Sequence, residues 1–177
     1  SVCLPWNPLY RNYGIYSTSK MILYHGSTHI VNEPVLIQGQ RLLDFGEGFY
    51  TSTNKEQAER WAKIKQQRTG GNAYVNIYQF DDSIIDSYSV KRFQSANEEW
   101  LDFIVTNRKQ RVQHHYDMVI GAVANDNLYA TIILYETSVL TKQETIHRLK
   151  THVLFDQISF HTIAIMSELQ FVEALSL

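Results

Sequence analysis

The chain has a single cysteine, three prolines and no long hydrophobic run. Cys3 alone cannot form an internal disulfide, and no stretch approaches the roughly 18 apolar residues of a membrane-spanning helix. The first twenty residues contain no apolar core of the kind found in secretory signals. These absences predict a soluble, cytoplasmic protein that does not contact a membrane.

Charge of either sign is modest, with 16 Lys and Arg residues against 18 Asp and Glu residues and a net charge of −2. No basic block stands out, which argues against a protein that holds long stretches of DNA or RNA through their phosphates. Brief contact with the end or loop of a nucleic acid stays open.

Several common catalytic patterns are also missing. Gly46 and Gly48 have no third glycine at the spacing of a dinucleotide-binding loop and no following Lys-Ser/Thr pair, so Rossmann and kinase-like sites are excluded. Two histidines are adjacent and two others lie five residues apart, and neither spacing suits a metal site on a helix. No Gly-x-Ser-x-Gly elbow of a serine hydrolase is present. We expect no metal.

The length of 177 residues fits one domain. Two of the three prolines lie in residues 1–20, and Met21 directly precedes the first apolar run. We therefore expect residues 1–20 to be a leader or a segment added for expression, and residues 21–177 to form a single α+β domain.

Hydrophobic periodicity and capping patterns predict the elements of this domain. Thr53 and Thr141 each stand three residues before a Glu, which predicts two capping boxes. A break in the backbone is expected at Gly26-Ser27. Strands are expected at residues 21–24, 73–80, 118–124 and 157–162, and helices at residues 97–107, 128–140, after each capping box and along the tail at 163–175.

Three short motifs carry a resemblance to a known superfamily. His25-Gly26-Ser27 follows the first strand, Gly46-Glu47-Gly48-Phe49-Tyr50 precedes a helix, and Trp61 lies on that helix. Their order and spacing resemble the diphtheria-toxin-like and poly(ADP-ribose)-polymerase-like ADP-ribosyltransferases. The strand at residues 156–161 resembles the one that carries their catalytic Glu. The layout, including residues 97–103, is also similar to the bacterial family DUF3990.

The resemblance implies split antiparallel β-sheets with flanking helices, NAD as substrate, and a role for each matching residue. It implies that the Gly26 main chain pairs with the nicotinamide carboxamide and that the Ser27 hydroxyl adds a third contact. His25 would hold a ribose hydroxyl of the adenosine end. Tyr50 and Trp61 would sandwich the nicotinamide ring, where each aromatic contact is worth on the order of 1 kcal/mol.

The departure from the family pattern is Gln157, which stands where these enzymes place the catalytic Glu. Glutamine keeps a hydrogen bond to the nicotinamide ribose and loses the negative charge that stabilises the cationic transition state, at a cost of roughly a few kcal/mol. Asp156 is expected on the opposite face of the strand, where it cannot substitute. The resemblance therefore implies mono-ADP-ribosyl transfer to a protein or nucleic acid, with His25, Tyr50 and Gln157 as the catalytic set.

The same resemblance suggests a bacterial toxin held by an antitoxin protein. A catalytically silent module that binds NAD or ADP-ribose, and an NAD glycohydrolase, are the alternative functions. Each site residue also has a purely structural explanation. His25-Gly26 fits a turn at a strand end, Tyr50 and Trp61 fit core aromatics, and Glu47 fits a solvated loop.

Overall fold

The computed structural model describes residues 20–36, 43–110, 114–123, 126–150 and 155–177. The expected leader, residues 1–20, lies outside this described part except for Lys20, where the first strand begins. In chain order the elements are β1 (Lys20–Ser27), β2 (Phe49–Thr51), α1 (Lys55–Thr69), β3 (Tyr74–Asp81), a 3-10 helix (Asp82–Ser87), β4 (Val90–Arg92), α2 (Glu98–Gln110), β5 (Met118–Ala122), α3 (Asp126–Glu136), α4 (Lys142–Leu149), β6 (Asp156–Phe160), α5 (Ile163–Met166) and β7 (Gln170–Ser176).

The strands form two sheets. The first has the order β1-β3-β7 and is antiparallel throughout, and α1 packs on one of its faces. The second has the order β2-β6-β5-β4. Every residue of β5 and β6 is buried, because this sheet is covered on both faces.

Two hydrophobic clusters flank the second sheet. One fills the space between the sheets, and its largest members are Leu23, Phe49, Tyr78, Phe80 and Phe160. The other lies on the opposite face of the second sheet, beneath α2 and α3, and is built around Phe45, Trp100, Ile104, Leu128 and Leu149. Side chains of β6 therefore alternate between two cores, which places Gln157 and Ser159 on one face and Asp156 and Ile158 on the other.

The structure confirms a mixed α+β domain and most of the predicted elements. Thr141 caps α4 as predicted, since its side chain accepts from the Glu144 amide while the Glu144 carboxylate accepts from the Thr141 amide. The strands expected from residues 73, 118 and 157 and the helices expected from residues 97 and 128 are present, with boundaries shifted by a few residues.

The prediction of a helical tail at residues 163–175 is wrong. Only Ile163–Met166 is helical, and Gln170–Ser176 forms β7 against β3. Because β3 pairs with β1 on its other side, β7 satisfies the N–H and C=O groups of an edge that would otherwise be open. The resemblance implied antiparallel sheets, and one strand pair departs from this, since β4 pairs with β5 in parallel.

Two local predictions near the site are corrected as well. The helix after β2 is capped by Asn54, whose side chain accepts from the Gln57 amide, and not by a box at Thr53. Thr53 instead donates to Asp156 through both its amide and its hydroxyl. The first strand does not end before Gly26 as expected, because β1 continues through Gly26 and Ser27.

Among the described helices, none has both the length and the apolar character that crossing a bilayer requires.

Candidate functional site

The two sheets meet at Tyr24 and then diverge. Tyr24 exchanges both backbone hydrogen bonds with Ser52, at 2.9 and 3.0 Å. In a continued antiparallel ladder the next such pair would be Gly26 and Tyr50. Instead, the Tyr50 carbonyl accepts from the His25 ring, with 2.6 Å between Nδ1 and the oxygen. The side chain of His25 thus takes the acceptor that the Gly26 amide would otherwise use, and an edge opens at Gly26.

The direction of this edge follows from strand geometry. Backbone groups of alternate residues point the same way along a strand, so the N–H and C=O of Gly26 face the same side as those of Tyr24. That side is turned towards β2 and away from β3. The Gly26 carbonyl accepts from the Lys65 ammonium, 2.7 Å from its oxygen.

Helix packing explains why position 26 is a glycine. A Cβ atom there would collide with the Ala58 carbonyl oxygen and would lie 2.7 Å from the Ala62 nitrogen. Both atoms belong to the backbone of α1 and cannot rotate aside. The absence of a side chain at Gly26 therefore lets α1 lie directly on β1, beside the open edge.

His25 is neutral, and no partner for its Nε2 lies within the described residues. Desolvation and the nearby Lys65 charge lower its pKa to about 3. Because a carbonyl only accepts, Nδ1 carries the proton that is donated to Tyr50, and Nε2 is left with its lone pair. The ring stacks on Phe49, with centroids 4.3 Å apart and planes at 27°.

The Tyr50 hydroxyl is used to hold the loop that precedes β2. It donates to the Gly46 carbonyl over 2.5 Å and accepts from the Phe45 amide over 3.1 Å. Desolvation, followed by the negative charge of Asp44, raises the pKa of Tyr50 well above its ordinary value. Only the half-buried ring of Tyr50 is left for contact with a ligand.

Trp61 lies on α1 in the turn that follows Ala58, one residue before Ala62, and is half-buried. Lys65 follows Trp61 by four residues, so the two side chains share one side of the helix. Within the described residues no ring contact joins Trp61 to Tyr50. Two rings that are to bracket a third cannot touch each other.

Two histidines that no sequence motif indicated hold the loop that precedes β2. His114 donates from Nε2 to the Phe45 carbonyl, and His161 donates from Nδ1 to the Glu47 carbonyl, each over 2.7 Å. Together with the Tyr50 bond to Gly46, side chains from three parts of the chain hold three consecutive carbonyls. We call residues 45–47 with these three donors the carbonyl clamp.

Desolvation sets the charge state of the clamp histidines. It lowers the pKa of His161 to about 4 and lowers the pKa of His114 as well. The two rings meet edge to face, with centroids 4.4 Å apart. His161 Nε2 accepts from the Ser159 hydroxyl over 2.7 Å. The glycine at position 48 leaves room for the His161 ring, because a Cβ atom there would lie only 2.7 Å from His161 Nδ1.

Gln157 and Asp156 have different tasks. Asp156 accepts from the Ser52 hydroxyl at 2.6 Å and from the Thr53 amide at 2.9 Å, and so it fastens the start of α1 to β6. Gln157 is 5% exposed, and its Nε2 has no hydrogen-bond partner within the described residues. An unpaired buried donor costs roughly 1–3 kcal/mol, so this amide needs a water or a ligand acceptor.

Gln157 lies on the same face of the second sheet as Tyr50. Tyr50 is directly opposite Ser159, and Gln157 is two residues from Ser159 along β6. Such diagonal neighbours are about 7–8 Å apart. The structure therefore brings Tyr50 and Gln157 near each other, links Tyr50 to His25, and puts Gly26 beside the helix that carries Trp61. In the described part of the chain, no three His, Cys, Asp or Glu side chains group as metal ligands.

Comparison with known proteins identifies one family. The sequence model of the family described as "Protein of unknown function (DUF3990)" matches residues 21–171. No curated protein and no solved structure matches the chain.

Proposed function

The chain belongs to the DUF3990 family, and from the geometry of its site we propose that it is an NAD-dependent mono-ADP-ribosyltransferase. The observation that carries the proposal is the hydrogen bond from His25 to the Tyr50 carbonyl. It ends the pairing of the sheets one step before Gly26 and leaves the backbone amide of this buried glycine without a partner from β2. A primary carboxamide has one acceptor oxygen and one donor amino group, which match the N–H and the C=O of Gly26.

In this proposal nicotinamide binds edge-on to Gly26. Its carboxamide oxygen accepts from the Gly26 N–H, and its amino group donates to the Gly26 carbonyl. The Ser27 hydroxyl already accepts from the His29 amide over 3.2 Å and keeps its own proton to donate to the carboxamide. Tyr50 and Trp61 lie on the two elements beside this edge and would bracket the ring.

The remaining parts of NAD are assigned to His25 and Gln157. A ribose hydroxyl of the adenosine end donates to the His25 lone pair on Nε2, which is available because Nδ1 is engaged with Tyr50. The unpaired Gln157 amide donates to a hydroxyl oxygen of the nicotinamide ribose. This contact gives the buried amide the partner that it lacks.

The reaction breaks the bond between the ribose C1 carbon and the nicotinamide nitrogen. The bonding pair goes to the ring nitrogen, the ribosyl group becomes cationic, and a nucleophile of a protein or nucleic acid bonds to C1 and gives its proton to solvent. Gln157 cannot neutralise the cation. Where the acceptor is a protein, one of its acidic side chains supplies the missing negative charge, and the lack of a carboxylate at position 157 restricts the enzyme to single transfers.

The biological setting that this activity suits is a bacterial cytoplasmic toxin restrained by an antitoxin protein. The first experiment should identify the molecule that accepts the ADP-ribosyl group. A silent module that binds NAD or an ADP-ribosylated partner is the second candidate, and the observation that favours it is the absence of a carboxylate at Gln157.

The test measures nicotinamide release and transfer of label from NAD labelled on its adenosine side, with and without bacterial lysate. Trp61→Ala is the informative variant, since within the described residues the Trp61 side chain makes no hydrogen bond, whereas the Tyr50 hydroxyl holds the loop before β2. Tyr88→Ala, which removes a half-buried tyrosine beside the 3-10 helix, is the matched control. Transfer that needs Trp61 but not Tyr88 supports the transferase.

The other outcomes separate the alternatives. Nicotinamide release without labelled macromolecules identifies a glycohydrolase. NAD binding without release identifies a silent module. Neither binding nor release, in a chain that melts cooperatively, overturns the proposal.

A further inference from the structure

A positive charge lies at the proposed nicotinamide edge. The Lys65 ammonium donates to the Gly26 carbonyl over 2.7 Å, and within the described residues no carboxylate lies at salt-bridge distance from it. Lys65 is exposed as a whole residue, whereas its ammonium lies among protein atoms, where desolvation lowers its pKa to about 8. The same charge contributes to the low pKa of His25.

This charge has a specific consequence for the proposed substrate. The nicotinamide ring of NAD is a cation, and its carboxamide would share the Gly26 carbonyl with the ammonium. A carbonyl has two lone pairs, so both donors can bind it at once. Two positive groups are then held close together in a desolvated place, where charge repulsion is stronger than in water.

Bond cleavage relieves this repulsion. The bonding pair moves to the ring nitrogen, so the ring becomes neutral while the positive charge moves to the ribosyl carbon. The carboxamide and the ribose are attached at different ring positions, so the ribosyl carbon lies farther from Gly26 and Lys65 than the carboxamide does. The charge therefore moves away from Lys65 as nicotinamide departs.

Resting on the proposed function, we propose that Lys65 makes the site discriminate against the cationic nicotinamide ring in favour of a neutral one, and thereby promotes departure of nicotinamide. Lys65 would act on the ring from its carboxamide side. It would thus recover part of the reaction rate that is lost because Gln157 carries no negative charge.

The test compares affinities for NAD and NADH, which carry a cationic and a neutral ring, by calorimetry on the full chain at pH 7. The variants are Lys65→Met, which removes the charge, and Lys65→Arg, which keeps it. Lys63→Met, an exposed lysine two residues earlier on the same helix, is the control. We expect Lys65→Met to tighten NAD binding relative to NADH by on the order of tenfold, a change of about 1.4 kcal/mol. Lys65→Arg and Lys63→Met should leave the ratio unchanged.

A second measurement uses the unaltered chain, so it does not depend on a variant that folds. As the pH rises from 7 to 9 the Lys65 charge is lost, and the preference for NADH should shrink by a similar factor. Two titratable side chains near this edge keep their charge state over this range, because the pKa of His25 is lowered to about 3 and the pKa of Tyr50 is raised well above its ordinary value. Lys65→Arg stays charged over this range and should show no such change.

The outcomes separate the two proposals. If both nucleotides bind and neither Lys65→Met nor pH changes their ratio, the inference about Lys65 is overturned and the NAD site stands. If neither nucleotide binds, the proposed function is overturned and the inference with it.

Discussion

The ring of His25 and the carbonyl of Tyr50, 2.6 Å apart, decide where the two sheets separate. A side chain has replaced a backbone donor at one step of a ladder. The ladder therefore stops at Tyr24 and Ser52 without a bulge or a proline. The resulting edge is held open by a neutral ring that is itself stacked on Phe49.

Replacing His25 by Phe tests this relationship. The ring stacking can persist, but the Tyr50 carbonyl loses its donor and the site loses the Nε2 lone pair. We expect the free energy of unfolding to fall by about 1–3 kcal/mol, the cost of an unsatisfied buried carbonyl, and NAD affinity to fall at least tenfold. Urea unfolding and calorimetry measure the two effects. His29→Phe, at an exposed histidine nearby, should change neither, and equal effects of both variants would contradict the assignment.

Replacing Gly26 by Ala should destabilise the protein whether or not it binds NAD. The new methyl group meets backbone atoms of Ala58 and Ala62, so α1 must shift away from β1. Overpacking of this kind costs about 1–3 kcal/mol. Thermal unfolding in the absence of ligand measures the change. An unaltered melting temperature would mean that α1 does not lie on Gly26 as described.

The clamp histidines should make stability depend on pH. The pKa of His161 is lowered to about 4 from an unfolded value near 6.5, so the unfolded chain binds more protons between these values. Stability is then fully present above about pH 6.5 and is lost as the pH falls towards 4. For a largely buried ring we expect a loss on the order of 2 kcal/mol over this window.

The comparison is with His161→Gln, whose amide can still donate to the Glu47 carbonyl but does not titrate. Urea unfolding at pH 5 and pH 7 should show a smaller difference for this variant than for the unaltered chain. His25, with a pKa of about 3, contributes to the remaining slope in the same direction. An identical slope in both proteins would remove His161 as the cause.

Replacing Gln157 by Glu should raise the rate of nicotinamide release. The carboxylate restores the negative charge beside the ribosyl cation, and electrostatic contributions of this kind are worth about 10²–10³ in rate. Gln157→Leu is the matched control, because it removes the polar group without adding charge. Initial rates at saturating NAD give the result. Tight NAD binding with no gain from Glu would favour the silent module.

Local sequence signals predicted those parts of the fold that depend on local contacts. Thr141 and Glu144 form their capping box, and in the described part of the chain no other group hydrogen-bonds to either side chain. Thr53 has the same spacing to Glu56, but Asp156 lies 103 residues away in sequence and takes both its amide and its hydroxyl. Asn54 then caps the helix. The capping pattern at Thr53 is present in the sequence, but the distant Asp156 carboxylate binds the groups that would have formed the capping box.

The candidate site shows the same division. His25 and Gly26 are neighbours in sequence, and their motif indicated them directly. His114 and His161 reach the loop at residues 45–47 only through the tertiary fold, and no spacing connects these positions. The tail at residues 170–176 became a strand because β3 had an open edge, a property of the sheet and not of the tail.

The carbonyl clamp also has a consequence for how the sequence can change in evolution. Phe45, Gly46 and Glu47 each depend on a donor from a different part of the chain, and Gly48 leaves room for one of those donors. Loss of any one donor loosens a loop that the other two still hold. The effects of two such losses on the free energy of unfolding should therefore not add. We expect positions 48, 50, 114 and 161 to vary together among relatives, as a unit that natural selection keeps or replaces whole.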